Sequence, residues 1–271
     1  MQNDKQGRVL IVAGSDSDGG AGIQADIKAV TVMGGFATTA ITAITVQNTL
    51  GVHGIHEVPV DIVAAQMRAV LEDIGTDAVK TGMLHSAAIV EAVAEELSRL
   101  DELPPLVADP VMVAKGGASL LEDAAVAALR EVLIPLSALV TPNVPEAEIL
   151  SGRKIVDVEG QKAAADALLG LGAEAVLVKG GHLSGDLIFD VLATQETIQI
   201  FSSPRIDTRH THGTGCTLAS AIAALLAQGV DLTAAVAASR DYVHEAIRTA
   251  PGFGKGHGPL NFLAVLDDDD E

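Results

Sequence analysis

The sequence predicts an α/β protein whose central sheet is mainly parallel and covered by helices on both faces. Three observations carry that expectation. Short apolar runs recur along the chain, each ends in a glycine or polar loop, and most lead into a segment of helical apolar spacing. Strands buried on both faces read as continuous apolar runs, as Val9-Leu10-Ile11-Val12-Ala13 does. No linker or shift of composition interrupts the rhythm, so residues 1–271 are expected to form a single domain, with 267–271 a disordered acidic tail.

Behind the first strand, Gly19-Gly20-Ala21-Gly22 opens a helix from Ile23 that Gly34-Gly35 ends. Phe36 to Thr45 reads as the second strand, and Val46-Gln47-Asn48-Thr49 as a polar turn. The spacing from Pro59 to Glu72 is helical, and Ala78 to Met83 is a short strand ending in glycine. Ser86 is expected to cap a helix through Leu97, with Glu91, Glu95 and Glu96 on its wet side. Strands follow at 106–108 and 138–140, separated by a helix over Glu122–Val132. Helices are expected at about 145–151 and 157–170, a strand at 175–178, a strand pair at about 187–193 and 196–201, and closing helices at about 215–228 and 231–248.

Composition narrows the function. The 271 residues are 48% hydrophobic, enough for a substantial core, and carry a net charge of −19, which disfavours nucleic acid and anionic membrane as partners. An acidic protein that handles phosphates needs a metal ion or local dipoles. With no Trp, one Tyr and five Phe, the core must be aliphatic and an aromatic ligand cage is not expected. One cysteine excludes an intrachain disulfide framework and fits a reducing cytoplasm. The polar first residues and the lack of a spanning apolar run point to a soluble, cytoplasmic protein.

The chemistry is concentrated in His212-Gly213-Thr214-Gly215-Cys216, which runs into apolar residues at 218, 221, 222, 225 and 226. A bare glycine turn therefore opens a buried helix, whose first N–H groups and dipole suit a phosphate or a developing anion. Cys216 has two readings, a small buried hydrophobe or a thiolate stabilised at a helix N-terminus. In a parallel sheet the ligand lies at the carboxyl ends of the strands, where Asp16, Gln47, Asp109, Asn143 with Glu146, Lys179 and Cys216 all fall. Asn143-x-x-Glu146 could hold hydrated Mg²⁺, and a helix-start carboxylate facing the dipole is the other reading of Glu146. Lys179-Gly180-Gly181 could set an ammonium on nucleotide phosphates, or be a surface turn. A Walker A motif is absent. Gly20-x-Gly22-x-x-Ala25 matches a dinucleotide fingerprint, but no acidic residue near the end of the second strand awaits a ribose.

Several stretches, in this order, resemble the hydroxymethylpyrimidine/phosphomethylpyrimidine kinases of thiamine biosynthesis. They are Gly14 to Lys28, Gln47-Asn48-Thr49, Lys80 to Leu84, Asp109 to Lys115, Thr141 to Glu148, Val178 to His182 and Thr211 to Thr217. The resemblance implies a three-layer α/β/α ribokinase-like fold, a homodimer, Mg²⁺, and ATP-dependent phosphorylation of 4-amino-5-hydroxymethyl-2-methylpyrimidine and then of its monophosphate. It implies an anion hole at Gly213, Thr214 and Gly215, with Cys216 where most ribokinase-like enzymes have an aspartate base. It further implies pyrimidine contacts at Gly14, Asp26, Gln47 and Met83, nucleotide contacts at Lys179, Gly181 and His212, and a metal region at Asp109, Glu146 and Asn143. Ser17-Asp18 departs from the Pro-Ser usual in the family, and His210 from the usual Asn, which bears on the nucleotide side. The expected chemistry is in-line γ-phosphoryl transfer with Cys216 taking the hydroxyl proton late; attack without a base is the mechanistic rival. Pyridoxal kinase, a nicotinamide oxidoreductase and a non-catalytic binder are the alternative functions.

Overall fold

The computed structural model describes residues 6–112 and 123–264. Its strands are β1 (Arg8–Asp16), β2 (Phe36–Asn48), β3 (Gly51–Glu57), β4 (Ala78–Thr81), β5 (Leu106–Ala108), β6 (Leu139–Val140), β7 (Ala175–Val178), β8 (Leu187–Thr194) and β9 (Ile198–Pro204). They form one nine-stranded sheet in the order β3-β2-β1-β4-β5-β6-β7-β8-β9. Pairing is parallel from β2 through β7, and β3 at one edge and β8 and β9 at the other run antiparallel. The helices are α1 (Gly22–Val32), α2 (Val60–Asp73), α3 (Ala87–Ser98), α4 (Asp123–Ala128), α5 (Val144–Ser151), α6 (Val158–Leu169), α7 (Thr214–Ala227) and α8 (Leu232–Arg248).

Alternation along β1 sorts the chain into three layers. Val9, Ile11 and Ala13 join the aliphatic core beneath α1, α7 and α8, while Leu10 and Val12 join the core beneath α2 to α6. Successive side chains of a strand point to opposite faces, so an unbroken apolar run needs helices on both. The three-layer α/β/α expectation is met, with a mainly parallel sheet.

The structure departs from the sequence reading in four places. The turn expected at Val46–Thr49 is strand as far as Asn48, and β3 was not foreseen. Gly-Val-His-Gly-Ile-His-Glu has no apolar period; antiparallel pairing such as Thr45 with Ile55 makes it a strand. Ser86 does stand at the N-cap of α3, yet its hydroxyl caps nothing and donates to Glu57 Oε1. Glu96 is buried rather than wet, because Arg68 and Arg99 fold over it. Finally α4 gives way at Leu129–Leu133 to a wider π turn and then a 3₁₀ turn; Glu122, residues 113–115 of the quoted motif and the acidic tail at 267–271 lie outside the described residues.

Strand ends position the site. β1 is irregular between Ala13 and Ser15, where Gly14 sits, and a β-carbon on Gly22 would stand only 2.4 Å from the Gly14 carbonyl oxygen. The first loop and the start of α1 thus fold tightly over the end of β1. Leu10, fully buried between sheet and helices, tests the two-sided core: Leu10→Ala is expected to lower unfolding free energy by about 2–5 kcal/mol in chemical denaturation.

Candidate active site

Gly213 caps α7 in a left-handed conformation, φ 80°, and offers no side chain to the helix. A β-carbon there would lie 1.7 Å from the Gly20 carbonyl oxygen, so the turn is seated against the first loop and only glycine fits. Thr217 N–H returns to the Gly213 carbonyl and Thr214 N–H to that of Thr211. No backbone acceptor among the described residues takes the N–H groups of Gly215 and Cys216. Two adjacent amides are therefore open at the positive end of a 14-residue helix, the arrangement that binds anions.

These amides open onto a cleft of about 740 Å³ along the carboxyl ends of the strands. Gly14, Gln47 and Met83 line one part of it; Asp109, Asn143, Glu146, Lys179 and Gly181 line another, and His212 to Cys216 lie between. A β-carbon on Gly215 would be 3.1 Å from Lys179 Nζ and 3.7 Å from Asp109 Oδ2, which puts the glycine turn directly against that cation and that carboxylate. Met83 closes on the other side, where a β-carbon on Gly14 would meet its methyl at 2.4 Å.

Asp26 is not on the cleft wall. It is fully buried beneath it, with both carboxylate oxygens 2.8 Å from Lys80 Nζ and one also accepting from Ser220 Oγ at 2.7 Å. Its oxygens are occupied, so it reaches a ligand only through Lys80, which forms part of the cleft floor. Lys80 is the residue that sequence reasoning left without a role. Burial alone would lower its pKa, but Asp26, Cys216 and Asp109 outweigh burial and raise it, so the ammonium stays charged.

The Cys216 thiol also differs from expectation. Burial pushes its pKa up to about 12; Asp26 and Asp109 add to the rise, and Lys80 and the Gly22 N–H offset only part of it. The helix terminus does not yield a thiolate here, because the thiol shares its buried surroundings with two carboxylates. Lys179 stands 3.1 Å from Asp109 Oδ1 and stays protonated, since Asp109 and Glu146 outweigh the effect of burial. Asn143 and Glu146 form a capping box: Asn143 N–H donates to Glu146 Oε2 at 2.8 Å, and Glu146 N–H to Asn143 Oδ1 at 3.0 Å. Asn143 thus serves the helix start. Burial lifts the Glu146 pKa to about 7, with Asp109 adding to the rise against Lys179 and two backbone N–H groups.

His212 belongs to the first loop rather than to the Lys179 side. It is buried, with Nε2 at 2.8 Å from Asp16 Oδ2 and 3.4 Å from Asp18 Oδ1, and it touches Gln47. Burial lowers its pKa, but these two carboxylates outweigh burial and raise it to about 9. His210 does not line the cleft; its ring faces Gly252 and Gly258 of the C-terminal segment.

With this geometry in view, kinship becomes informative. Residues 16–261 match the family model for phosphomethylpyrimidine kinase. The chain belongs to the phosphomethylpyrimidine kinase family. It is 48% identical to the hydroxymethylpyrimidine/phosphomethylpyrimidine kinase of Bacillus subtilis, over 95% of each chain. It is 53% identical to a thiamine biosynthesis bifunctional protein of Geobacter sulfurreducens, of which it spans 54%. Among solved structures, a phosphomethylpyrimidine kinase of Clostridium difficile is 42% identical, with TM-score 0.79 over 90% of this chain and 100% of that one. The ADP complex of Bacillus subtilis pyridoxal kinase superposes with TM-score 0.89 at 35% identity, over 97% and 99%.

Two consequences follow for stability. Asp26→Asn leaves the Lys80 ammonium buried with its principal partner gone, and is expected to cost about 3–5 kcal/mol in urea denaturation. Because the folded pKa of His212 lies above its ordinary 6.5, the imidazolium adds stability that is complete below pH 6.5 and is lost as pH rises through about 9. An NMR titration is expected to give a midpoint near 9 for His212, and a lower one in Asp18→Asn.

Proposed function

We propose that the protein transfers the γ-phosphoryl group of ATP to the hydroxymethyl oxygen of 4-amino-5-hydroxymethyl-2-methylpyrimidine and then to the resulting monophosphate. One observation carries the reading: the open amides of Gly215 and Cys216 stand against Lys179 and Asp109 in the same cleft as Gly14, Gln47 and Met83. That is a phosphate cradle beside a pocket for a small ring. The names of the relatives support the substrate, and the ADP complex of a pyridoxal kinase with this fold supports the nucleotide.

In this reading the ring lies between Gly14, Met83 and Gln47, and the polyphosphate runs past Lys179 and Gly181. Asp109 and Glu146 suit Mg²⁺: both carboxylates line the cleft, they are 3% and 6% exposed, and hard oxygen donors match that ion. Mg²⁺ would supply charge neutralisation on the phosphates, and its presence would lower the Glu146 pKa from about 7. The two open amides and the Lys179 ammonium stabilise the charge on the travelling group. Cys216 meets the acceptor oxygen as a thiol. A dissociative transition state asks little of the nucleophile, so the hydroxyl proton passes late to an oxygen of the transferred phosphoryl group and no thiolate has to form first.

The same reading takes the chain as one domain, supported by a single sheet with strands from residue 8 to 204. It takes the protein as a cytoplasmic homodimer. Exposed Ile44, Val46 and Ile55 on β2 and β3 support a second copy docking on that edge, and the lone free cysteine supports the compartment. No helix among the described residues is long and apolar enough to cross a membrane.

Pyridoxal phosphorylation is the second reading, favoured by the TM-score of 0.89 to a pyridoxal kinase. A coupled ADP-release assay with the pyrimidine alcohol, its monophosphate and pyridoxal in parallel tests both. Turnover on both pyrimidines above that on pyridoxal is expected, and turnover on pyridoxal alone would replace the proposal. Because a general base typically contributes ~10²–10⁴-fold, Cys216→Ser is expected to lower kcat by less than about tenfold. A drop of a hundredfold or more, rescued at high pH, would restore the base role.

A further inference from the structure

His212 meets three polar groups through one ring atom. Its Nε2 stands 2.8 Å from Asp16 Oδ2, 3.4 Å from Asp18 Oδ1 and 3.2 Å from the end of the Gln47 amide assigned as Nε2, an assignment that proton counting reverses. An ionised carboxylate only accepts, so Nε2 must carry a proton towards Asp16. An amide NH₂ facing that N–H would set donor against donor. The end of Gln47 beside His212 is therefore its oxygen.

The other end of the amide gives the same answer from a separate partner. That end, assigned as Oε1, lies 3.3 Å from Thr45 Oγ1, which is itself 2.9 Å from the Ser15 carbonyl oxygen. A carbonyl can only accept, so the single hydroxyl proton of Thr45 goes to Ser15, and what faces the hydroxyl from Gln47 must donate. Both proton counts agree on one orientation.

We infer that His212 is a positioning residue for ligand specificity: its single Nε2–H, shared between Asp16 at 2.8 Å and the Gln47 amide oxygen at 3.2 Å, disfavours an NH₂ there, so Gln47 turns its NH₂ to Thr45 and the cleft and selects ring ligands with an acceptor atom there. This rests on the reading above that Gln47 faces the substrate ring. The surroundings keep the parts in place. Ser17 Oγ donates to the Gln47 carbonyl at 2.7 Å and accepts its N–H at 2.8 Å, which clamps the backbone of Gln47. Ala21 and Asp18 N–H groups hold the Asp16 carboxylate, and Gly20 N–H holds that of Asp18. From the C-terminal segment, Pro259 bridges to the backbone of His212 and adds no charge. The amide nitrogen has two protons, one for Thr45 and one left for a ligand. A ring nitrogen or oxygen can take it, whereas a ligand donor at that point would leave the contact unmade and the selectivity would follow from that mismatch.

Orientation can be read without turnover. In ligand-free, ¹⁵N-labelled protein, Overhauser contacts from the Gln47 NH₂ to the Thr45 methyl group are expected; contacts to the His212 ring protons instead overturn the inference. Kinetics on the pyrimidine alcohol tests the consequence. H212Q keeps a donor where Nε2 stood and is expected to hold KM within about threefold, while H212L raises KM roughly tenfold with kcat changed less than about threefold. Q47E still accepts from His212 but cannot donate to the ring, and its KM is expected to rise by about tenfold or more. A wild-type KM in Q47E, or equal losses in H212Q and H212L, counts against the inference. Should H212L fail to fold, Q47E and the NMR contacts decide. Should the wild type phosphorylate no ring alcohol, the functional reading fails and the NMR contacts still give the orientation.

Discussion

Lys80 and Asp26 form the interaction on which the site depends. Neither side chain has any solvent exposure, and the ammonium sits 2.8 Å from both carboxylate oxygens. Removing two ions from water costs several kcal/mol each, so the pair is poor evidence of net stability; its worth lies in geometry. Lys80 comes from β4, Asp26 from α1 and Ser220 from α7, and all three meet at one carboxylate. Ser220 lies one helical turn after Cys216, so locking Ser220 fixes the rotation of α7 and the aim of its open first turn. An ionic contact with no path to water thereby sets where the open amides of Gly215 and Cys216 point.

Above that pair the charges alternate across the cleft floor. Asp26 faces Lys80, Asp109 faces Lys179, and Glu146 lies close enough to Lys179 and Asp109 to feel both. Three acids against two ammonium groups leave the floor short of positive charge, in a chain whose net charge is already −19. A polyphosphate brought there gains from the helix terminus and from Lys179 but still lacks a counter-charge, which is the physical reason a divalent cation fits beside Asp109 and Glu146. Burial is the main reason Cys216 stays a thiol, and the same deficit adds to it, since a thiolate would put a further negative charge beside Asp26 and Asp109.

Much of this was legible in the residues. The continuous apolar runs pointed to the buried parallel strands, and strand ends gathered Gln47, Asp109, Asn143, Glu146, Lys179 and Cys216 as a set. The Lys80–Asp26 pair had a signal that went unread. Asp26 falls on the face of α1 that carries Ile23 and Val30, and Lys80 sits inside the buried run Ala78-Val79-Lys80-Thr81; two charges on apolar faces have to find each other. Glu96, one turn beyond Val93 and beside Leu97, gave the same warning. β3 offered no such cue, since its residues alternate nothing and its conformation comes from pairing with β2. Nor did His212, whose carboxylate partner is 196 residues away and is brought to it only by the close seating of Gly213 on Gly20.

That last contact also bears on Ser17, Asp18 and His210, where the sequence resemblance is imperfect. His210 turns from the cleft towards the C-terminal glycines. Ser17 and Asp18, by contrast, contact Gln47 and His212. The Ser17 hydroxyl both donates to and accepts from the backbone of Gln47, which proline could not do, and Asp18 adds a second carboxylate beside His212. Both changes stiffen one corner of the pocket, the corner where Gln47 would read the ring. A rigid polar side chain discriminates more sharply than a mobile one, because a mismatched ligand cannot be accommodated by turning the amide over. On the proposed reading, the loop behind β1 is therefore where selectivity among ring alcohols would be decided, and the glycine turn of α7 would supply the phosphate chemistry to whichever ring that loop admits.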